Sequence, residues 1–314
     1  MAPRVLITGA AGFAGGWLVR ACADAGDEVI ALSRHGTAFE EPVMDLAVDL
    51  RDETGVRAAF AGARPDVVYH VAALGSVGRS WERPGQTLSE NGAAAIHVLE
   101  AVRMQAPQAR VVWVSSCEVY GVPDSLPIPE SAPITPANPY AVSKASAELL
   151  AVVYADAYGL DIVRARPFSH SGPGQRPIFL LSSLARQAVA GRLAGARRLA
   201  VTTGNPDTRR DFTDVRDVMR AYRLLADGAP APVYNVSSGV SVSAADQVQL
   251  LAELVAPMVV DHQVDPALVR AREVMDLRGD HDRLTDDTGW NPEIPLHKTM
   301  ADTLAWWEHE LQPS

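Results

Sequence analysis

Tyr140 and Lys144 stand four residues apart, just behind Asn138 and Pro139. Asn138 can cap a helix, and Pro139 suits its first position because the ring pre-sets φ where no N–H is needed. Four residues is one helical turn, so the phenol and the ammonium share a face. A phenol with a pKa of about 10 shuttles protons poorly at neutral pH. A fixed cation beside it favours the phenolate, lowers that pKa and makes Tyr140 a general acid or base. The same spacing also fits a surface Tyr and Lys that never meet, so the pair gains weight only if other residues join it.

Ser115-Ser116-Cys117-Glu118 follow an apolar run, Arg110 to Val114, that reads as a strand. Ligands of open parallel sheets bind beyond the carboxyl ends of strands. A hydroxyl there can bond a substrate carbonyl or alkoxide, and Glu118 can take a proton from carbon. Two serines after a strand also fit plain turn capping. Gly9, Gly12 and Gly15, with Phe13 and Ala14 between them, sit between the strand Val5-Leu6-Ile7 and an Ala- and Leu-rich helix running to about Ala25. Glycines there permit a tight turn and close backbone approach, and the helix N-terminus attracts a pyrophosphate, so a dinucleotide is expected. NAD sites usually carry an acidic residue at the end of the second strand, about 20 residues on. This chain offers Ser33, Arg34 and His35 after Glu28 to Leu32. An arginine suits a 2′-phosphate, so NADP(H) is expected ahead of NAD(H). Asp49 and Leu50, after the next short strand, are placed to flank the adenine.

These positions require a βαβ frame, and the pattern supplies one. Asp66 to Val71 and Asp161 to Arg166 read as further strands, Leu88 to Met104 and Pro139 to Tyr158 as helices. Continuous apolar strands between helices predict a parallel, Rossmann-type α/β sheet covered on both faces. Asn91 falls at the front of the helix from Leu88. After Pro167 the pattern loosens and fewer strands are evident. A dinucleotide-binding domain over 1–167 and a smaller mixed α/β substrate domain over 168–314 are therefore expected, with a segment near 210–236 packing back onto the first. A helix opening at Asp214, a strand over Val233 to Val236, a helix after Asp282 stopped at Gly289 and a last helix from about His297 to Leu311 complete the reading.

The chain has 314 residues, 47% hydrophobic and 21% charged, enough for one large or two smaller domains. A formal net charge of -10 argues against a nucleic-acid binder that neutralises phosphates. Cys22 and Cys117 lack a paired motif, which fits a reducing cytoplasm. No apolar run approaches the ~18 residues of a membrane span, and the N-terminus enters a strand without a secretory signal. The eight histidines form no spaced metal-ligand set. No Gly-x-Ser-x-Gly elbow surrounds Ser115 or Ser116. Arg209, Arg210 and Arg270 are candidates for a diphosphate clamp.

Together these motifs resemble the extended short-chain dehydrogenase/reductases of the nucleotide-sugar epimerase and dehydratase type. The resemblance runs through Thr8 to Gly15, His70-Val71-Ala72-Ala73, Asn91, Ser115 to Gly121, Tyr140 to Lys144, Gly172 to Gln175, Arg210 to Asp217, Tyr234-Asn235-Val236 and Gly289 to Pro292. It implies a Ser116, Tyr140, Lys144 site supported by Asn91, with Ala72 against the cofactor. Within that group the chain is most similar to the GDP-4-keto-6-deoxymannose reductases and the GDP-mannose 4,6-dehydratases, on Phe168 to Gln175, Arg210 to Asp217, Arg270 and Glu273-Val274. That implies a GDP-linked sugar touched by Ser169, Arg210, Arg270 and Glu273, and reduction of a 4-keto-6-deoxy sugar at C4. A 4,6-dehydratase using Glu118, or a C4 epimerase, is the alternative, and a binding protein that has lost catalysis ranks below both. The departures are Ser169 where the family has Asn, Ala271 where Pro follows the arginine, and Cys117 where dehydratases carry Asp or Ser. The resemblance also implies a homodimer through a four-helix bundle, for which Ile96, Leu99, Leu149 and Val153 are available; the same residues suit cover for the sheet.

Overall fold

The computed structural model describes residues 2–269 and 274–312. Strands β1 (Arg4–Thr8), β2 (Glu28–Ser33), β3 (Met44–Ala47), β4 (Val67–His70), β5 (Arg110–Val114) and β6 (Ile162–Pro167) alternate with helices α1 (Phe13–Asp24), α2 (Glu53–Ala63), α3 (Val77–Glu82), α4 (Pro84–Gln105) and α5 (Pro139–Tyr158). Then come β7 (Ser169–Ser171), α6 (Leu180–Leu193), β8 (Arg198–Thr203), β9 (Arg209–Asp214), α7 (Val215–Ala226), β10 (Val233–Val236), β11 (Ser241–Ser243), α8 (Ala244–Leu254), β12 (Val259–Val264), β13 (Asp276–Leu277), α9 (Asp282–Thr288) and α10 (Leu296–Leu311).

Seven strands form one parallel sheet in the order β10-β6-β5-β4-β1-β2-β3, the Rossmann-type architecture. Side chains alternate across a strand, and the alternation divides the core. Val5 and Ile7 of β1, with Val112 and Val114 of β5, pack on Leu18 and Val19 of α1 and Val218 and Met219 of α7. Leu6, Val111 and Trp113 face the other way, onto Phe60 of α2, Val98 and Leu99 of α4 and Ala151 of α5. Each face thus buries its own apolar layer, so the inner strands have no solvent side and read as unbroken hydrophobic runs, while the edge strand β3 stays largely exposed.

At Pro167 the chain leaves this sheet. β7, β11 and β13 all pair with β9 in a second sheet, and β8 pairs with β12. It returns to the large sheet through α7 and β10, which docks beside β6. The second half holds more strands than its pattern suggests: six outside the large sheet among the described residues, each of two to six residues. They carry charged runs such as Arg209-Arg210-Asp211 and are too short to show a period. α4 begins four residues ahead of Leu88, at Pro84, because proline is tolerated in a first turn. The apolar residues of α4 and α5 divide in two. Leu99 is fully buried against the sheet, whereas Ile96, Leu149 and Val153 are 43%, 54% and 57% exposed.

Candidate active site

A cleft of ≈ 880 Å³ opens at the carboxyl ends of β1, β2, β4 and β5 and is closed from the other side by the segment around β7. Its floor is the turn after β1. Gly9 takes φ +73°, a left-handed conformation that glycine adopts without strain. A Cβ on Gly15 would lie 2.1 Å from the Gly9 carbonyl oxygen, and one on Gly12 3.1 Å from it. The turn is therefore as tight as side-chain-free backbone permits. Gly12 caps α1 with no side-chain acceptor on the first amides, which leaves the helix N-terminus facing the cleft as an anion site. Phe13, Ala14 and Ala72 line the same end. This cradle fits a dinucleotide pyrophosphate.

Ser33, Arg34, Asp49 and Leu50 line the far end of the cleft. Arg34 reaches Glu90 at 3.3 Å and Asp49 at 3.8 Å. Arg51 reaches the same carboxylates at 3.4 and 2.6 Å. The side-chain hydrogen bond from Arg51 holds the Asp49 carboxyl well below the usual carboxylate range. Arg51 and Glu90 were not singled out from the sequence. Their neighbours Asp49-Leu50 and Asn91 were, and adjacency to those was the available signal.

At the near end the candidate catalytic groups converge. The Asn138 side-chain oxygen Oδ1 caps α5 by accepting from the Ala141 amide at 2.8 Å, while its side-chain nitrogen Nδ2 donates to Glu118 at 2.8 Å. Asn91 accepts from the Leu74 amide and donates to the Ser143 hydroxyl, both at 2.8 Å, tying the loop after β4 to α5. Ser116, Glu118, Tyr140, Lys144 and Ser169 all line the cleft. Lys144 is 4% exposed, and its ammonium donates to the Val114 carbonyl at 2.5 Å. Burial pulls its pKa from 10.5 down to about 8, with Glu148 opposing the fall.

The expected lowering of the Tyr140 pKa by Lys144 does not occur. Desolvation of its hydroxyl pushes the Tyr140 pKa well above the ordinary phenol value, although the side chain keeps some solvent exposure; the Ser116 hydroxyl acts in the opposite sense. The physical reason is burial: the ammonium is turned to a backbone carbonyl, and desolvation outweighs any help to the phenolate. Cys117 is 5% exposed, and burial pushes its thiol well above the ordinary range.

The substrate-side expectations divide. Arg210 is not among the side chains lining the cleft, and its guanidinium donates to the Arg209 and Val274 carbonyls at 2.7 and 2.9 Å. Arg209 turns to the Ser241 carbonyl at 2.6 Å and to Asp246 at 3.3 Å. Arg270 and Glu273 lie outside the described residues. Unanticipated neighbours are His170, stacked on Phe13 at 6.0 Å and 7°, together with Arg176 and Tyr222. Tyr222 comes from α7, whose strong amphipathicity gave no hint that one residue of its buried face reaches a ligand cleft.

The family model described as GDP-mannose 4,6 dehydratase matches residues 6–303. GDP-6-deoxy-D-mannose reductase of Pseudomonas aeruginosa is 38% identical over 251 residues, covering 79% of this chain and 82% of that protein. UDP-glucose 4-epimerase of Mycolicibacterium smegmatis is 29% identical over 323 residues, covering 98% and 100%. Among solved structures, RMD from Pseudomonas aeruginosa complexed with NADPH superposes with a TM-score of 0.85 at 33% identity, across 99% of this chain and 100% of that one.

Proposed function

The chain belongs to the GDP-mannose 4,6-dehydratase family, and from that premise we propose that it is an NADPH-dependent reductase of a GDP-linked 4-keto-6-deoxy sugar. The observation that carries this reading is the convergence of Ser116, Tyr140 and Lys144 on the cleft floored by the glycine turn, where burial favours the protonated Tyr140 phenol. When bound there, NADPH would supply the hydride that the substrate C4 needs. As hydride arrives, the carbonyl electron pair moves onto oxygen, Tyr140 gives that oxygen its proton, and solvent restores the phenol. Ser116 orients the carbonyl by hydrogen bonding. Lys144 would hold the nicotinamide ribose, and its charge would favour the transient phenolate. Gly9 to Gly15 would hold the pyrophosphate. Arg34, with Ser33 beside it, would receive a 2′-phosphate, which favours NADPH over NADH. The relative solved with NADPH supports that cofactor.

Residues 1–167, together with α7 and β10, form the cofactor half of this reading, and the remainder forms the substrate half. Ser169 faces the sugar side from β7. A homodimer through α4 and α5 is part of the proposal, supported by the outward Ile96, Leu149 and Val153. The enzyme works in the cytoplasm, where NADPH and nucleotide sugars are available.

A specific observation favours a second reading. Glu118 lines the cleft with its carboxylate fixed by Asn138, where it can remove a sugar C5 proton in a 4,6-dehydratase using tightly held NADP+. Against it, the protonated Cys117 thiol is a weak aid to expelling water. Cofactor stoichiometry separates the two. Incubation with GDP-4-keto-6-deoxymannose and NADPH is expected to consume one NADPH per sugar. Turnover of GDP-mannose without net NADPH consumption would replace the reductase by the dehydratase.

A further inference from the structure

Glu148 lies one turn beyond Lys144 on α5 and has no solvent exposure. Its carboxylate accepts from the Ser115 hydroxyl at 2.5 Å, from Arg166 at 2.6 Å and from Arg164 at 3.5 Å. Arg166 is anchored in turn, donating to the Tyr120 hydroxyl at 2.9 Å and to the Glu130 carbonyl at 3.1 Å. Ser115 is held a second time through its amide, which donates to the Ala165 carbonyl at 2.7 Å.

Three consecutive residues at the end of β5 therefore serve three different partners. The Val114 carbonyl receives the Lys144 ammonium, the Ser115 hydroxyl is fixed by Glu148, and the Ser116 hydroxyl faces Tyr140. A buried ion pair is a poor source of net stability, because removing both charges from water offsets most of their attraction. A carboxylate with no exposure beside a buried ammonium does, however, act strongly on that ammonium, since little solvent screens the pair. We propose that Glu148 is a positioning residue for the Ser116, Tyr140 and Lys144 set, clamping the Val114–Ser116 step against α5 and keeping Lys144 cationic. The groups around it agree with this. From β4, His70 is kept neutral, pushed down to about 3 by burial and by the Lys144 charge. From β6, Arg164 and Arg166 face Glu148 and not the ammonium. Glu118 and Cys117 act on Tyr140. Glu148 is the carboxylate that opposes the loss of the Lys144 charge on burial.

The sequence offers a direct readout, because Lys144 and Lys298 are its two lysines. Protein labelled with ¹³C at lysine Cε gives two resonances, and Lys298→Arg, on α10 away from the cleft, assigns them. The wild-type Lys144 signal is expected to titrate near pH 8. Glu148→Gln lowers that midpoint by about one pH unit, and Glu148→Asp restores part of the difference. Arg164→Met removes a cation from Glu148 while leaving Arg166 in place, and it raises the midpoint. That variant decides the matter if Glu148→Gln does not fold. An unchanged midpoint in a Glu148→Gln protein that melts like the wild type, or in Arg164→Met, would overturn the proposal. The inference rests on the reading of Lys144 given above. The titration reads the Lys144 charge without substrate or cofactor, so it can fail while NADPH consumption succeeds, and the reverse.

Discussion

Spacing, joined by Ser116 and the glycine turn, made Tyr140 a candidate proton-transfer residue, but it did not disclose the sign of the pKa shift. Spacing reports that two side chains share a helix face; it does not report desolvation or where the ammonium points. With the Lys144 ammonium on the Val114 carbonyl and the phenol pKa raised by burial, Tyr140 stays protonated across neutral pH. That is the state a reduction requires. Tyr140→Phe is expected to lower the rate of NADPH-dependent reduction by about 100-fold or more while leaving NADPH binding measurable by fluorescence titration. A variant that keeps the wild-type rate would remove Tyr140 from the chemistry. Lys144, lowered to about 8, carries its charge on the acid side of that value and loses it above. The single-turnover rate of reduction should therefore be flat below neutrality and fall as the pH rises through about 8. A rate that climbs through that range would contradict the assignment.

The loop between β1 and α1 and the end of β2 show what a sequence can disclose about an element. The glycine turn was legible because its requirement is steric and local: Gly15 has room for no Cβ against the Gly9 carbonyl. Gly15→Ala should cost roughly 1–3 kcal/mol of stability, seen as a lower melting temperature, together with weaker dinucleotide binding. The charge cluster at the far end was only half legible. Arg34 follows β2 directly, but Arg51 and Glu90 meet it only through the packing of the segment after β3 against α4. Arg34→Met should weaken NADPH binding about tenfold, the loss of one charge-assisted contact, and spare NADH. Equal losses for both cofactors would place the 2′-phosphate elsewhere. Arg210 was only partly legible for a related reason. The sequence shows a candidate diphosphate clamp, but not that the guanidinium is engaged by the carbonyls of Arg209 and Val274.

The parallel sheet was legible along the chain because both of its faces are covered, which leaves unbroken apolar runs between helices. The second half was not, since its short strands are polar and owe their pairing to contacts far away in sequence, such as β8 with β12. The same two-sided cover leaves Ile96, Leu149 and Val153 on the outward faces of α4 and α5, where a second copy can bury them. Leu149→Asp combined with Val153→Asp should shift the protein to monomer in sedimentation velocity; unchanged sedimentation would exclude that face as the interface. The account as a whole turns on a net hydride transfer into the sugar. With NADPH deuterated at the transferable position and GDP-4-keto-6-deoxymannose as substrate, the product should carry one deuterium at C4, visible by mass and by loss of the C4 proton signal. A product formed without deuterium at C4 would contradict the reductase and return the cleft to an internal redox cycle.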